Sequence, residues 1–123
     1  MEEKSDYTKE VNRILLEEFI SLFSTSESCD KWFSKKEMEL YPFPERAKSL
    51  AARYLVKKAI GENLNEENRF QEIEIVNNSF GKPEITFGKE MMEKIEKKGI
   101  KQILCSLSHS RNHAIGMTIF YYK

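Results

Sequence analysis

The sequence has few of the residues that mark redox, metal-binding or modular proteins. Its 123 residues include two cysteines, Cys29 and Cys105, which lack the paired C-x-x-C spacing of metal or redox sites. The five glycines and three prolines form no Gly-rich linker, and no segment repeats. We therefore expect two free thiols in a reducing compartment and one ordinary domain over residues 1–123.

The sequence also lacks an excess of either charge. Lys and Arg total 20, Asp and Glu total 20, and the formal net charge is zero. Proteins held broadly to nucleic acid by its phosphates are usually basic, so no nucleic-acid partner is expected. Residues 1–10 have no signal-peptide character, and no apolar run approaches the about 18 residues of a membrane-spanning helix. The sequence predicts a cytoplasmic globular protein with no membrane partner, in which any anion site is local.

The hydrophobic pattern predicts an α+β fold. Helical spacing predicts a helix over 8–23, and a polar loop follows over 24–30. Ser34 and Glu37 have the spacing of a capping box that opens a short helix, and a long helix is predicted to begin at Pro44. Strands are predicted over 70–76, 82–87, 100–110 and 113–123, with a charged helical or loop insert over 89–98. This order predicts a mostly antiparallel sheet packed against a long central helix.

The long helix carries cations opposite its apolar positions. At about 100° per residue, Arg46, Arg53 and Lys57 fall within about 40° of one another on the side predicted to be exposed. Such a stripe is either a solvated surface or a binding site for an anion.

Four segments resemble a known family. FSKKEMELY (33–41), RAKSLAARYLVKKAIGENL (46–64), FQEIEIVNNSFGKPEI (70–85) and CSLSHSRNHAIGM (105–117) follow the order of blocks in 4′-phosphopantetheinyl transferases of the holo-acyl-carrier-protein synthase type. The long helix resembles the family pattern at Leu50, Ala51, Arg53, Tyr54, Lys57 and Ala59, the turn resembles it at Phe80-Gly81-Lys82-Pro83, and the last block at Ser106-Leu107-Ser108-His109.

The resemblance implies an enzyme of fatty acid biosynthesis that assembles as a homotrimer. Such an enzyme moves phosphopantetheine from coenzyme A to a serine of an acyl or peptidyl carrier protein, and a carboxylate-bound Mg²⁺ spreads the developing charge. The residues implied as coenzyme A contacts are Arg46, Arg53, Lys57, Ser108 and His109, with His109 as an anion contact rather than a general base. Arg13 is the implied contact to the carrier protein.

The sequence departs from the family where the metal is expected. Lys58 matches the family's metal-binding glutamate, and Glu62 matches a lysine one turn later. An ammonium cannot bind Mg²⁺, and Asp6 is only a weak match to the second ligand. If catalysis is retained, Lys57, Lys58 and Glu62 are its candidate residues, with Lys58 binding the pyrophosphate in place of a metal. The alternative is a catalytically silent homologue that binds coenzyme A or a carrier protein as a partner or regulator, with Lys58 and Glu62 as an exposed helix ion pair.

Overall fold

A computed structural model describes residues 6–123 and confirms the predicted α+β class. The expectation that residues 1–10 lack signal-peptide character falls partly outside this range, since residues 1–5 are not described. The strands are β1 (Tyr7–Leu15), β2 (Ile73–Asn77), β3 (Pro83–Phe87), β4 (Ile100–His109) and β5 (His113–Tyr122). The helices are α1 (Leu16–Leu22), α2 (Ser26–Trp32), α3 (Lys35–Leu40), α4 (Ala47–Leu64) and α5 (Lys89–Lys97), with a 3₁₀ turn over Phe70–Glu72.

Two antiparallel sheets surround the long helix α4. One sheet has the strand order β1-β5-β4, and the other is the hairpin of β2 and β3. β5 packs closely on α4 at Gly116, where a Cβ atom would lie 2.9 Å from the Ala52 carbonyl oxygen. The turn predicted between β2 and β3 is confirmed, with Gly81 at a φ of 79° that favours glycine. Among the described residues, none of the helices combines the length and hydropathy needed to cross a lipid bilayer.

The prediction of one helix over 8–23 is wrong for its first half. β1 pairs with β5 along its whole length, from Tyr7 opposite Tyr121 to Leu15 opposite His113. Only α1 remains of the predicted helix, and it buries Phe19 completely. Pairing with a central strand overrides the local helical spacing, a tertiary effect that a window of sequence does not contain.

Three other predicted boundaries also move. Residues 26–30 of the predicted polar loop belong to α2, whose N-terminus is capped by the Thr25 side chain, which accepts a hydrogen bond from the Ser28 backbone N–H at 3.3 Å. α4 begins at Ala47 rather than at Pro44, since residues 42–46 form a turn in which the Pro42 carbonyl accepts the Arg46 N–H at 2.7 Å. The first strand after α4 begins at Ile73, preceded by the 3₁₀ turn.

Candidate active site

The three cations of α4 do not form one exposed stripe, so that prediction is wrong. Arg46 is exposed at the start of the helix, whereas Arg53 is 2% exposed and Lys57 is fully buried. α4 is covered on both sides, by the β1-β5-β4 sheet on one side and by α2, α3 and β2 on the other. Its polar side therefore faces protein over most of its length.

Arg53 joins α4 to β2 and to the ring of Tyr41. Its Nε donates to the Ile75 carbonyl at 2.8 Å, and its two Nη atoms donate to the Ser49 carbonyl at 3.0 Å and to Asn77 Oδ1 at 3.1 Å. The guanidinium carbon lies 3.7 Å from the centre of the Tyr41 ring. Burial lowers the pKa of Arg53, against the opposing effect of Tyr41. Within one chain these contacts direct Arg53 towards β2 and Tyr41 rather than towards the Ser108–His109 segment, and its contact with coenzyme A stays a prediction.

Lys57 forms a buried ion pair with Glu37 of α3. Its Nζ donates to Glu37 Oε1 at 2.5 Å and to the carbonyls of Trp32 at 2.7 Å and Phe70 at 3.2 Å, which uses all three ammonium donors. Burial lowers the pKa of Lys57 to about 8, and the charge of Glu37 opposes that shift. Lys57 is thus a structural cation in this arrangement. We correct the prediction that it contacts coenzyme A or the reacting groups.

Glu37 completes this network from the other side. The capping box predicted at Ser34 and Glu37 is confirmed, with Glu37 Oε1 accepting the Ser34 N–H at 2.9 Å. Glu37 Oε2 accepts the Ile75 N–H of β2 at 2.9 Å. One carboxylate therefore connects α3, α4 and β2, a role that the capping pattern alone did not predict.

The Ser108–His109 segment lies at the end of β4, where a tight turn leads into β5. Ser108 pairs with Ile115 and His109 pairs with Ala114, which is buried against α4. Because successive strand residues point to opposite faces, the Ser108 hydroxyl and the His109 imidazole diverge within one chain. The structure therefore brings His109, and not Ser108, towards the face that α4 covers.

His109 meets the start of α4 in a pocket of about 420 Å³, here called the α4 N-terminal pocket. Its polar lining includes Arg46, Lys48, Ser49 and Glu45, and its apolar lining includes Leu16 and Ile20 of α1. Within residues 6–123, the backbone N–H groups of Lys48 and Ser49 have no acceptor. Free N–H groups at a helix start, next to two cationic side chains and an imidazole, are a suitable environment for a phosphate.

A second pocket, of about 230 Å³, lies between β1, α1 and α4 and is here called the β1–α4 pocket. It brings together three of the predicted residues, Arg13, Lys58 and Glu62. Sequence reasoning missed Glu18, which also lines this pocket, because residues 8–23 were assigned to one helix. Between residues 6 and 123, Lys58 has no carboxylate within ion-pair distance, so the alternative of a Lys58–Glu62 helix ion pair is not formed.

The donor set of the β1–α4 pocket does not fit Mg²⁺. Magnesium needs oxygen ligands in near-octahedral geometry, and the pocket presents the Lys58 ammonium beside Glu18 and Glu62. The described residues contain no cluster of three potential metal-ligating side chains. Asp6 precedes β1, about 23 Å along the strand from Arg13 at about 3.3 Å per residue. Asp6 does not line this pocket.

Comparison with known proteins identifies relatives of one kind. The chain is 32% identical over 95 residues to a holo-[acyl-carrier-protein] synthase of Caldanaerobacter subterraneus, which covers 73% of this chain and 74% of that protein. It is 37% identical over 83 residues to a holo-[acyl-carrier-protein] synthase of Dehalococcoides mccartyi, and this alignment covers 66% of this chain and 70% of that protein. No family model matches the chain.

Solved structures show the same fold. The holo-[acyl-carrier-protein] synthase of Neisseria meningitidis superposes with a TM-score of 0.78 at 20% identity, covering 91% of this chain and 95% of that one. An ACPS-CoA complex from Chronobacterium ammoniagenes superposes with a TM-score of 0.77 at 20% identity, covering 95% and 98%. The sequence relatives and the shared architecture agree. The chain belongs to the holo-acyl-carrier-protein synthase family of 4′-phosphopantetheinyl transferases.

Proposed function

We propose that this protein transfers the 4′-phosphopantetheine arm of coenzyme A to a serine of an acyl or peptidyl carrier protein. In this reaction the serine oxygen forms a bond to the phosphorus that carries the pantetheine arm. The phosphoanhydride bond breaks, and adenosine 3′,5′-bisphosphate leaves with its electron pair. The reaction gathers negative charge, so the enzyme has to supply positive charge and hydrogen-bond donors at the phosphates.

The observation that supports the proposal most strongly is the α4 N-terminal pocket. It places Arg46, Lys48 and His109 around the free N–H groups at the start of an 18-residue helix. Charge-assisted hydrogen bonds to phosphate are about twice as strong as neutral ones, and the helix dipole adds to them. We assign the bisphosphate end of coenzyme A to this pocket.

The β1–α4 pocket is assigned to the reacting end of the substrate. The two pockets lie on either side of α1, since Leu16 and Ile20 line the first and Glu18 and Leu22 line the second. Glu62 is proposed to accept the serine proton, and the exposed Arg13 to contact the carrier protein at the rim.

We also propose that three copies assemble through the face of the β1-β5-β4 sheet that points away from α4. The central strand β5 is mostly apolar on both sides: Ala114, Gly116, Thr118 and Phe120 face α4, whereas Ile115, Met117 and Ile119 lie on the outer face. Val11 pairs with Met117 on that face and is 60% exposed in the single chain. A central strand with two apolar faces is typical of a sheet covered on both sides.

The transfer is tested by mass spectrometry of an apo carrier protein incubated with coenzyme A and this protein. We expect the mass of the phosphopantetheine arm to appear on the carrier, and to be absent when its acceptor serine is replaced by alanine. Parallel reactions contain either MgCl₂ or EDTA. The two buffers are compared because the donor set departs from a magnesium site. Several carrier proteins of the acyl and peptidyl types are assayed.

A silent homologue is the second candidate function, favoured by the absence of a fitting Mg²⁺ donor set among the described residues. It predicts coenzyme A binding with no mass added to any carrier in either buffer. That result would contradict the transferase proposal and leave a binding protein.

A further inference from the structure

The β1–α4 pocket contains positive charge that belongs to the chain itself. Lys58 and Arg13 line it together with Glu18 and Glu62. Lys58 supplies a positive charge beside the two carboxylates, the kind of charge that a divalent ion would otherwise supply there.

Lys58 is available to contact an anion. It is exposed, and its ammonium pairs with no carboxylate of residues 6–123, although Glu62 lies one helical turn away. Tyr54, Lys58 and Glu62 follow one another at i, i+4 and i+8, so they form one row along the side of α4 that faces this pocket. Lys58 differs in this from its neighbour Lys57, whose three donors are all used inside the protein.

The position of Lys58 is also fixed by the fold. The adjoining residues Lys57 and Ala59 are buried, and the helix segment that carries them packs against β5 and the β2 hairpin. The ammonium thus extends from a rigid segment into the pocket. An ammonium binds phosphate oxygens as a point charge and does not require the six ordered ligands that Mg²⁺ requires.

We infer that Lys58 is the built-in cation of this site: it binds the diphosphate of coenzyme A directly and makes binding independent of a divalent metal ion. This inference rests on the proposed function, because it assigns the coenzyme A diphosphate to the β1–α4 pocket. It distinguishes this chain from a protein in which carboxylates at the same pocket bind a divalent metal ion.

The experiment is calorimetric titration of coenzyme A into the full chain, in buffer with EDTA and in buffer with MgCl₂. Wild-type affinity is expected to agree within about twofold between the two buffers. Lys58→Met removes a charged hydrogen bond to phosphate and is expected to weaken binding about 10- to 100-fold. Lys58→Arg keeps the charge and is expected to retain affinity within a few-fold. Lys97→Met, which removes an exposed lysine of α5, is the matched control and binds as wild type does.

The failures of this inference and of the proposed function differ. Wild-type binding that falls tenfold or more in EDTA would overturn the inference alone, as would a Lys58→Met variant that binds as tightly as wild type. A wild-type protein that binds no coenzyme A in either buffer would contradict both. Melting temperatures of the variants, measured in parallel, show whether a loss of binding comes from unfolding.

Discussion

Replacement of Lys57 with methionine is expected to lower the free energy of unfolding by about 3–5 kcal/mol, the usual cost of removing one partner of a buried ion pair. The loss comes from Glu37, which is fully buried and would keep a charge with no cation beside it. The carbonyls of Trp32 and Phe70 would also lose their donor. Urea unfolding followed by circular dichroism measures the change.

Lys58→Met is the matched control, since it makes the same change at the next position, where the side chain is exposed. It is expected to stay within about 0.5 kcal/mol of wild type. Adding Glu37→Gln to Lys57→Met removes the buried charge while keeping an acceptor for the Ile75 N–H, so part of the stability is expected to return. If Lys57→Met unfolds at the same urea concentration as Lys58→Met, the structural role given to Lys57 is wrong.

A charge placed on the outer face of the main sheet is expected to dissociate the proposed trimer. Met117→Arg puts a guanidinium at the middle of β5, opposite Val11 on one neighbouring strand and Ser106 on the other. Burying an unpaired charge in an apolar contact costs several kcal/mol for each subunit, and a closed ring repeats that cost at every contact. Light scattering after gel filtration should give a trimer for wild type and the 14.5 kDa monomer for the variant.

Gln71→Arg adds the same charge at an exposed position on the 3₁₀ turn and serves as the control. It is expected to remain a trimer. The assembly proposal would be wrong if wild type were monomeric at micromolar concentration, or if Met117→Arg had the mass of the wild-type oligomer.

The sequence predicted most of the elements that depend on local signals. The capping box at Ser34, the hairpin turn at Gly81 and the two final strands are confirmed because propensity and turn chemistry act over a few residues. β1 was missed because its spacing also fits a helix, and only its partner β5 decides between the two. Helix α2 was missed because its composition is mostly polar, although Thr25 caps its N-terminus.

The site was predicted less completely, for a physical reason that concerns α4. A count of 100° per residue places Lys57 with Arg46 and Arg53, and it assumes that the side opposite the apolar positions faces water. α4 instead crosses the middle of the fold, and Glu37 comes from another helix to neutralise Lys57. Arg13, Lys58 and Glu62 were each named from family resemblance, in different roles, and the three residues line one pocket. Helical spacing alone does not place the neighbouring β1 strand.

The measurement that tests the account most directly compares coenzyme A with dephospho-coenzyme A, which lacks the 3′-phosphate, on wild type and on the Arg46→Ala/His109→Ala variant. Wild type should bind coenzyme A the more tightly of the two ligands. The variant should lose about tenfold or more in affinity for coenzyme A, because charged hydrogen bonds to the phosphate disappear. The affinities of wild type and variant for dephospho-coenzyme A should differ much less. Equal coenzyme A affinity in wild type and variant, or an equal loss for both ligands, would contradict the placement of the bisphosphate end at the start of α4.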